Sequence, residues 1–270
     1  MIFDIPSNNR AFNLKVEVES DKPIQLKLKA NDPNKPATYY VRRKGKVFGK
    51  RTFYMKFPVS PKELEIEIYN PKNGNLPYGD DNTFKIVDVK VEPVKECNVW
   101  WNDDTKNFYK FAIQFSENAG ILSAGKDKPD IYRSDDGKFT IDYYNVIRDK
   151  ASQKVLSTPA RIGHNTGIIE VSKQAFLNYT VPMRLVILLH EYSHKYLNQK
   201  QGNEISYETG ADINALYVYL GKGWSEIEAH QSFLYVFKDA KSKGNHKRYL
   251  IIRDFIDKFS RGKIENCNVA

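Results

Sequence analysis

The chain has 270 residues, 41% of them hydrophobic and 13% aromatic, and carries a formal net charge of +9. That apolar content buries a sizeable core, which excludes a disordered chain, and the length suits two domains. No stretch approaches the roughly eighteen apolar residues of a membrane span. Met1-Ile2-Phe3-Asp4-Ile5-Pro6 has neither the basic nor the apolar segment of a secretory leader, so a soluble protein with no export signal and no membrane partner is expected. Cys97 and Cys267 belong to no C-x-x-C pattern; they read as free thiols of a reducing compartment, with a disulfide as the alternative.

In chain order, the first third alternates. Over 13–20, Leu14, Val16 and Val18 interleave with Lys15, Glu17 and Glu19, and the same period of two recurs over 24–29, 63–69 and 84–91. Turn residues separate these runs, as in Asn31-Asp32-Pro33-Asn34-Lys35-Pro36 and Asn70-Pro71-Lys72-Asn73-Gly74-Asn75. Short alternating strands at that spacing predict an antiparallel β-sandwich or barrel over 1–96, serving as a binding or tethering module. Arg42, Arg43, Lys44, Lys46, Lys50 and Arg51 crowd six cations into ten residues flanked by Tyr39, Tyr40, Phe53 and Tyr54. A basic hairpin of this kind suits an acidic protein surface, nucleic acid or an anionic polymer. The plain alternative is a solvent-facing strand whose lysines discourage edge pairing.

From Trp100 the period becomes helical, through Phe108, Phe111, Ala112, Phe115 and Ile121, with Asp103 or Asp104 as the cap. The remainder, 97–270, reads as strands over 139–147 and 162–172, a helix over 185–198, a further helix after Gln201-Gly202-Asn203, and two terminal helices. Gly202 would close the first of these helices and Asn203 cap the next. The class expected is α+β.

The pentapeptide His190-Glu191-Tyr192-Ser193-His194 spells H-E-x-x-H at the end of an apolar run. A shuffled chain with five histidines and 15 glutamates would contain it roughly 0.005 times, so chance is a poor explanation. On a helix the two imidazoles lie one turn apart on one face and reach a single metal ion, with Glu191 beside them. The alternative is a buried helix whose histidines bond to backbone or carboxylate groups. Glu208 and Asp212, four apart, share a face of the next helix. A catalytic metal needs a third ligand, which Glu208 supplies, and a ligating imidazole donates its other N–H to a carboxylate, which Asp212 supplies to His190. Without a metal, both acids would be the solvated face of an amphipathic helix.

His190, Glu191, His194, Glu208 and Asp212 together resemble the motifs of the gluzincin metallopeptidases, the thermolysin-like and heat-shock-metalloprotease-like enzymes with H-E-x-x-H on one helix and E-x-x-x-D on the next. The resemblance covers about 160–256, and only these five positions are specific. It implies a zincin-like domain with a small sheet and an active-site helix pair, Zn2+ held by His190, His194 and Glu208, Glu191 as general base, Asp212 behind a ligand, and a protein or peptide substrate. Metzincins are excluded, because Lys195-Tyr196-Leu197-Asn198-Gln199-Lys200 offers neither their glycine nor their third histidine. In zincins a strand just before the active helix forms the sheet edge and pairs with an extended substrate. Gly163-His164-Asn165-Thr166-Gly167 reads as a turn and Ile168-Ile169-Glu170-Val171 as the strand expected there, unless it is an ordinary strand of the core sheet. Some gluzincins place a histidine or arginine near the oxyanion, which makes His246, Arg248 and Tyr249 candidates; such a donor is commonly worth about 3 kcal/mol. Otherwise they are exposed residues at a helix start.

The function expected is zinc-dependent peptide-bond hydrolysis, in the cytoplasm. One alternative is a structural or assembly protein, such as a virion component of a phage, that keeps the zincin fold with or without activity. Another is a basic nucleic-acid-binding module with a vestigial site.

Overall fold

The computed structural model describes residues 1–76, 80–94, 101–197, 205–238 and 243–262. The chain is α+β and divides into two compact units, Met1–Glu96 with Gly223–Ser225 and Cys97–Lys222 with Glu226–Ala270. Among the described residues no helix is long and apolar enough to cross a membrane. The expected boundary at 94–97, both cysteines and the expected cap at 201–203 fall wholly or mostly outside the described residues.

In the first unit, β1 (Ile2–Ile5), β2 (Phe12–Asn31), β3 (Tyr39–Phe57), β4 (Leu64–Tyr69) and β5 (Lys85–Glu92) form one antiparallel sheet in the order β1-β4-β2-β3, with β5 also beside β2. The strands are antiparallel, as expected, and among the described residues no ladder joins β1 to β3 to close them into a hydrogen-bonded barrel. The two runs at 13–20 and 24–29 are a single strand. Between Ser20 and Ile24 the register with β3 shifts, which absorbs Asp21-Lys22-Pro23 as a bulge. Because four residues on β2 oppose two on β3, the period of two survives the bulge. Leu14, Val16, Val18, Leu26, Leu28 and Ala30 therefore share one fully buried face. The basic segment is likewise not a hairpin. It lies inside β3, paired along its length with β2.

In the second unit, α1 (Asp103–Asn118) is capped by Asn102, whose Oδ1 accepts the Thr105 N–H at 2.7 Å. Asp103 and Asp104 sit instead in the first turn, where their charge suits the helix dipole. A four-stranded sheet follows, made of β6 (Asp130–Arg133), β7 (Thr140–Tyr144), β8 (Ala160–Ile162) and β9 (Ile169–Ser172) in the order β6-β7-β9-β8. β7 and β9 are parallel and the other pairs antiparallel. The turn and strand expected over 162–172 are the turn of a hairpin and its second strand, β9, with β8 as the first. β9 is interior, and the edge is β8, three residues long and too short for periodicity to reveal.

The helices are α2 (Lys173–Phe176), α3 (Val181–Tyr192), α4 (Ile205–Gly221), α5 (Glu226–Lys238) and α6 (Lys243–Ser260), and a π-helical turn over Ser193–Leu197 continues α3. α3 begins before Leu185, at Val181, because Pro182 in its first turn needs no N–H partner there. Every residue from Val181 to Leu189 is buried, and a helix apolar all round belongs in a core. It packs against α1, α4, α5 and β8. Its one arginine, Arg184, donates to the carbonyls of Phe176 at 2.8 Å and Ser116 at 2.7 Å. Phe108, Tyr192 and Tyr196 stack at 4.2 and 4.9 Å between centroids, anchoring the π-helical turn to α1.

Candidate metal centre

The apolar surface of α3 ends at His190, and from Ser193 its winding widens from α to π. π-turns inside α-helices recur at functional sites. His190 and His194 face one another across this transition with Nε2 atoms 3.0 Å apart and rings at 88°. From the first turn of α4, Glu208 places Oε2 3.6 Å from His190 Nε2 and Oε1 3.4 Å from His194 Nε2. Tetrahedral zinc, with bonds of about 2.0–2.1 Å, sets its ligand atoms about 3.3 Å from one another. The N–N separation and the two N–O separations, the latter to different oxygens of Glu208, lie around that value, one ligand atom from each residue lies within 4.8 Å of the others, and two imidazoles with one carboxylate are a donor set that zinc takes, so the residues fit the ion.

Asp212, one turn further along α4, is buried and sets Oδ1 2.8 Å from His190 Nδ1. That ion-pair distance puts the carboxylate against Nδ1, while Nε2 of the same ring faces the other two donors. Arg248 comes from α6. Its Nε and Nη2 donate to Asp212 Oδ2 at 3.0 and 2.8 Å, and Nη2 lies 3.1 Å from Glu208 Oε2. The guanidinium therefore braces both carboxylates. His246 and Tyr249 do not line the cleft, a correction to their expected role. Steps of about 100° per residue turn them away from the face that carries Arg248. His246 is exposed, and the Tyr249 ring stands 6.4 Å from His230 of α5.

Electrostatics follow from this packing. Burial alone would pull the His190 imidazole down, but the Asp212 carboxylate, with Glu208 and Glu191 nearby, carries it up to about 10. Burial and then the charge on His190 push His194 down to about 4. Burial opposes ionisation of Glu208, yet His190, Arg248 and His194 hold its carboxyl at about 2. Glu191 is raised by burial and by Glu208, against the opposing pull of His190 and a hydrogen bond from the Ile162 backbone.

A cleft of about 360 Å³ opens beside these groups. One wall is the edge strand, with Ala160 and Ile162, continuing into His164; the other is apolar, with Val186, Ile187 and Phe233. The β8–β9 hairpin rests on the π-helical turn: Lys195 Nζ donates to the carbonyls of His164 at 2.7 Å and Asn165 at 3.1 Å. At Gly167, φ is +72° and an added Cβ would come within 2.4 Å of the Tyr196 hydroxyl. Lys195 and Tyr196 carry no motif, and sequence reasoning passed over both. The structure thus brings together His190, Glu191, His194, Glu208, Asp212 and Arg248 and leaves His246 and Tyr249 outside. Comparison with known proteins gave no match among family models, curated proteins or solved structures.

Proposed function

We propose that the second unit is a zincin-like, gluzincin-type zinc peptidase. The observation that carries this reading is the spacing of His190 Nε2, His194 Nε2 and Glu208, at 3.0, 3.4 and 3.6 Å, beside Glu191 in one cleft. Zinc held there would supply a Lewis acid that polarises a carbonyl and lowers the pKa of a water toward about 7. Glu191 accepts the proton of the attacking water and delivers it to the leaving amine nitrogen. Its raised pKa brings it closer to the working pH, where a proton shuttle is most effective. The open edge of β8 pairs with an extended substrate backbone, and the apolar wall of Val186, Ile187 and Phe233 receives an apolar side chain. Arg248 keeps Glu208 and Asp212 in place.

Zinc content and hydrolysis of an unstructured protein such as casein test the reading, with wild type and Glu191→Gln compared. The variant is expected to retain zinc and lose activity by about 10²-fold or more. Equal activity in the two proteins would falsify the role of Glu191.

A further inference from the structure

The outward face of the first unit concentrates cations in a way that folding alone does not favour. In the β2–β3 register, Arg42 lies directly opposite Lys29 and Lys44 directly opposite Lys27, with Lys46 next along the strand opposite Gln25. Like charges directly opposite on one face are destabilising. Glu65 and Glu67 of β4 lie beside these five cations, Glu67 pairing with Lys29 at 2.8 Å. Aromatic rings stand among them. Arg42 lies over Tyr39 at 5.5 Å, Lys27 and Lys29 over Tyr69 at 5.6 and 5.3 Å, and beyond Lys46 the Phe48 side chain is 70% exposed.

We infer that this face, centred on Arg42, Lys44 and Lys46 with Lys27 and Lys29, binds single-stranded nucleic acid. Alternate residues of a strand project from one face about 6.8 Å apart, so the three β3 cations form a row that can track successive phosphates of an extended strand. The interleaved rings offer surfaces on which bases stack without sequence preference. An acidic protein segment would use the charges but not the rings. A duplex fits less well. The face is four strands wide, β3-β2-β4-β1, or about 14 Å between outer strands, whereas a major groove of about 12 Å admits two. The inference does not depend on the metal centre.

The test is fluorescence anisotropy of a labelled oligothymidylate against the full chain over a range of salt. Wild type is expected to bind it more tightly than a duplex of equal length or polyglutamate. In Arg42→Ala/Lys44→Ala/Lys46→Ala, affinity should fall at least tenfold, and the slope of log affinity against log salt should become shallower by about 2, at 0.7 per phosphate contact. The thermal midpoint of that variant should not drop, since opposed like charges are removed. Phe48→Ala should weaken binding with the salt slope unchanged. Glu191→Gln should bind as wild type does. Absence of binding at low salt, a preference for duplex or polyglutamate, or unchanged affinity in the triple variant would overturn the assignment.

Discussion

His190 joins the two halves of the candidate site, since one ring nitrogen meets Asp212 and the other meets His194 and Glu208. Its metal-free pKa of about 10 means that at pH 8 the ring is protonated, whereas a metal ligand must be neutral. Zinc binding at pH 8 should therefore release close to one proton per ion, and apparent affinity should rise with pH until about 10 and level off above it. Calorimetry in buffers of different ionisation enthalpy reads the proton directly. In Asp212→Asn the release should shrink and the affinity fall by about 10 to 100-fold; a wild type that releases no proton would contradict the electrostatic description. At this scale much was legible. Residues four apart on helices share a face whatever the tertiary structure, which is why His190, His194, Glu208 and Asp212 stand out in the sequence. The bracing by Arg248 was not legible, because the residue lies on a third helix and its partners are set by packing.

The elements around the site depend on a contact that no periodicity encodes, the seating of the β8–β9 hairpin on the π-helical turn. Gly167 and Gly137 have nearly the same positive φ, +72° and +71°, but a Cβ at Gly137 meets nothing within 4 Å. Gly137→Ala should then cost only backbone strain, on the order of 1 kcal/mol. Gly167→Ala should cost more and also loosen zinc, because it displaces Tyr196 two residues beyond His194. Thermal unfolding and zinc titration of the pair measure the difference, and equal effects would mean that the hairpin does not support the centre. The strand register was only partly readable for the same reason. Alternation located the apolar face of β2 but could not show that the 13–20 and 24–29 runs join through a bulge, nor that the three residues of β8 form the sheet edge.

Across the whole molecule, composition and the shift from a period of two to a helical period gave the α+β class. The topology of the first sheet came only with the pairings, since β2 takes β4 and β5 on one side over different halves of its length. All three candidate ligands belong to the second unit. Zinc at about 100 times its dissociation constant should stabilise the structure holding it by about 2.7 kcal/mol. If the units melt separately in calorimetric scans with zinc and with chelator, only the transition of the second unit should rise. A shift confined to the first unit would place the metal elsewhere.

The most direct measurement is X-ray absorption at the zinc edge of the protein loaded with one equivalent. Zinc held by His190, His194 and Glu208 should give a four-coordinate shell of nitrogen and oxygen at about 2.0–2.1 Å with scattering from two imidazoles, and that shell should be lost in Glu208→Ala. Sulfur at about 2.3 Å, from Cys97 or Cys267, or a shell with no imidazole contribution, would contradict it.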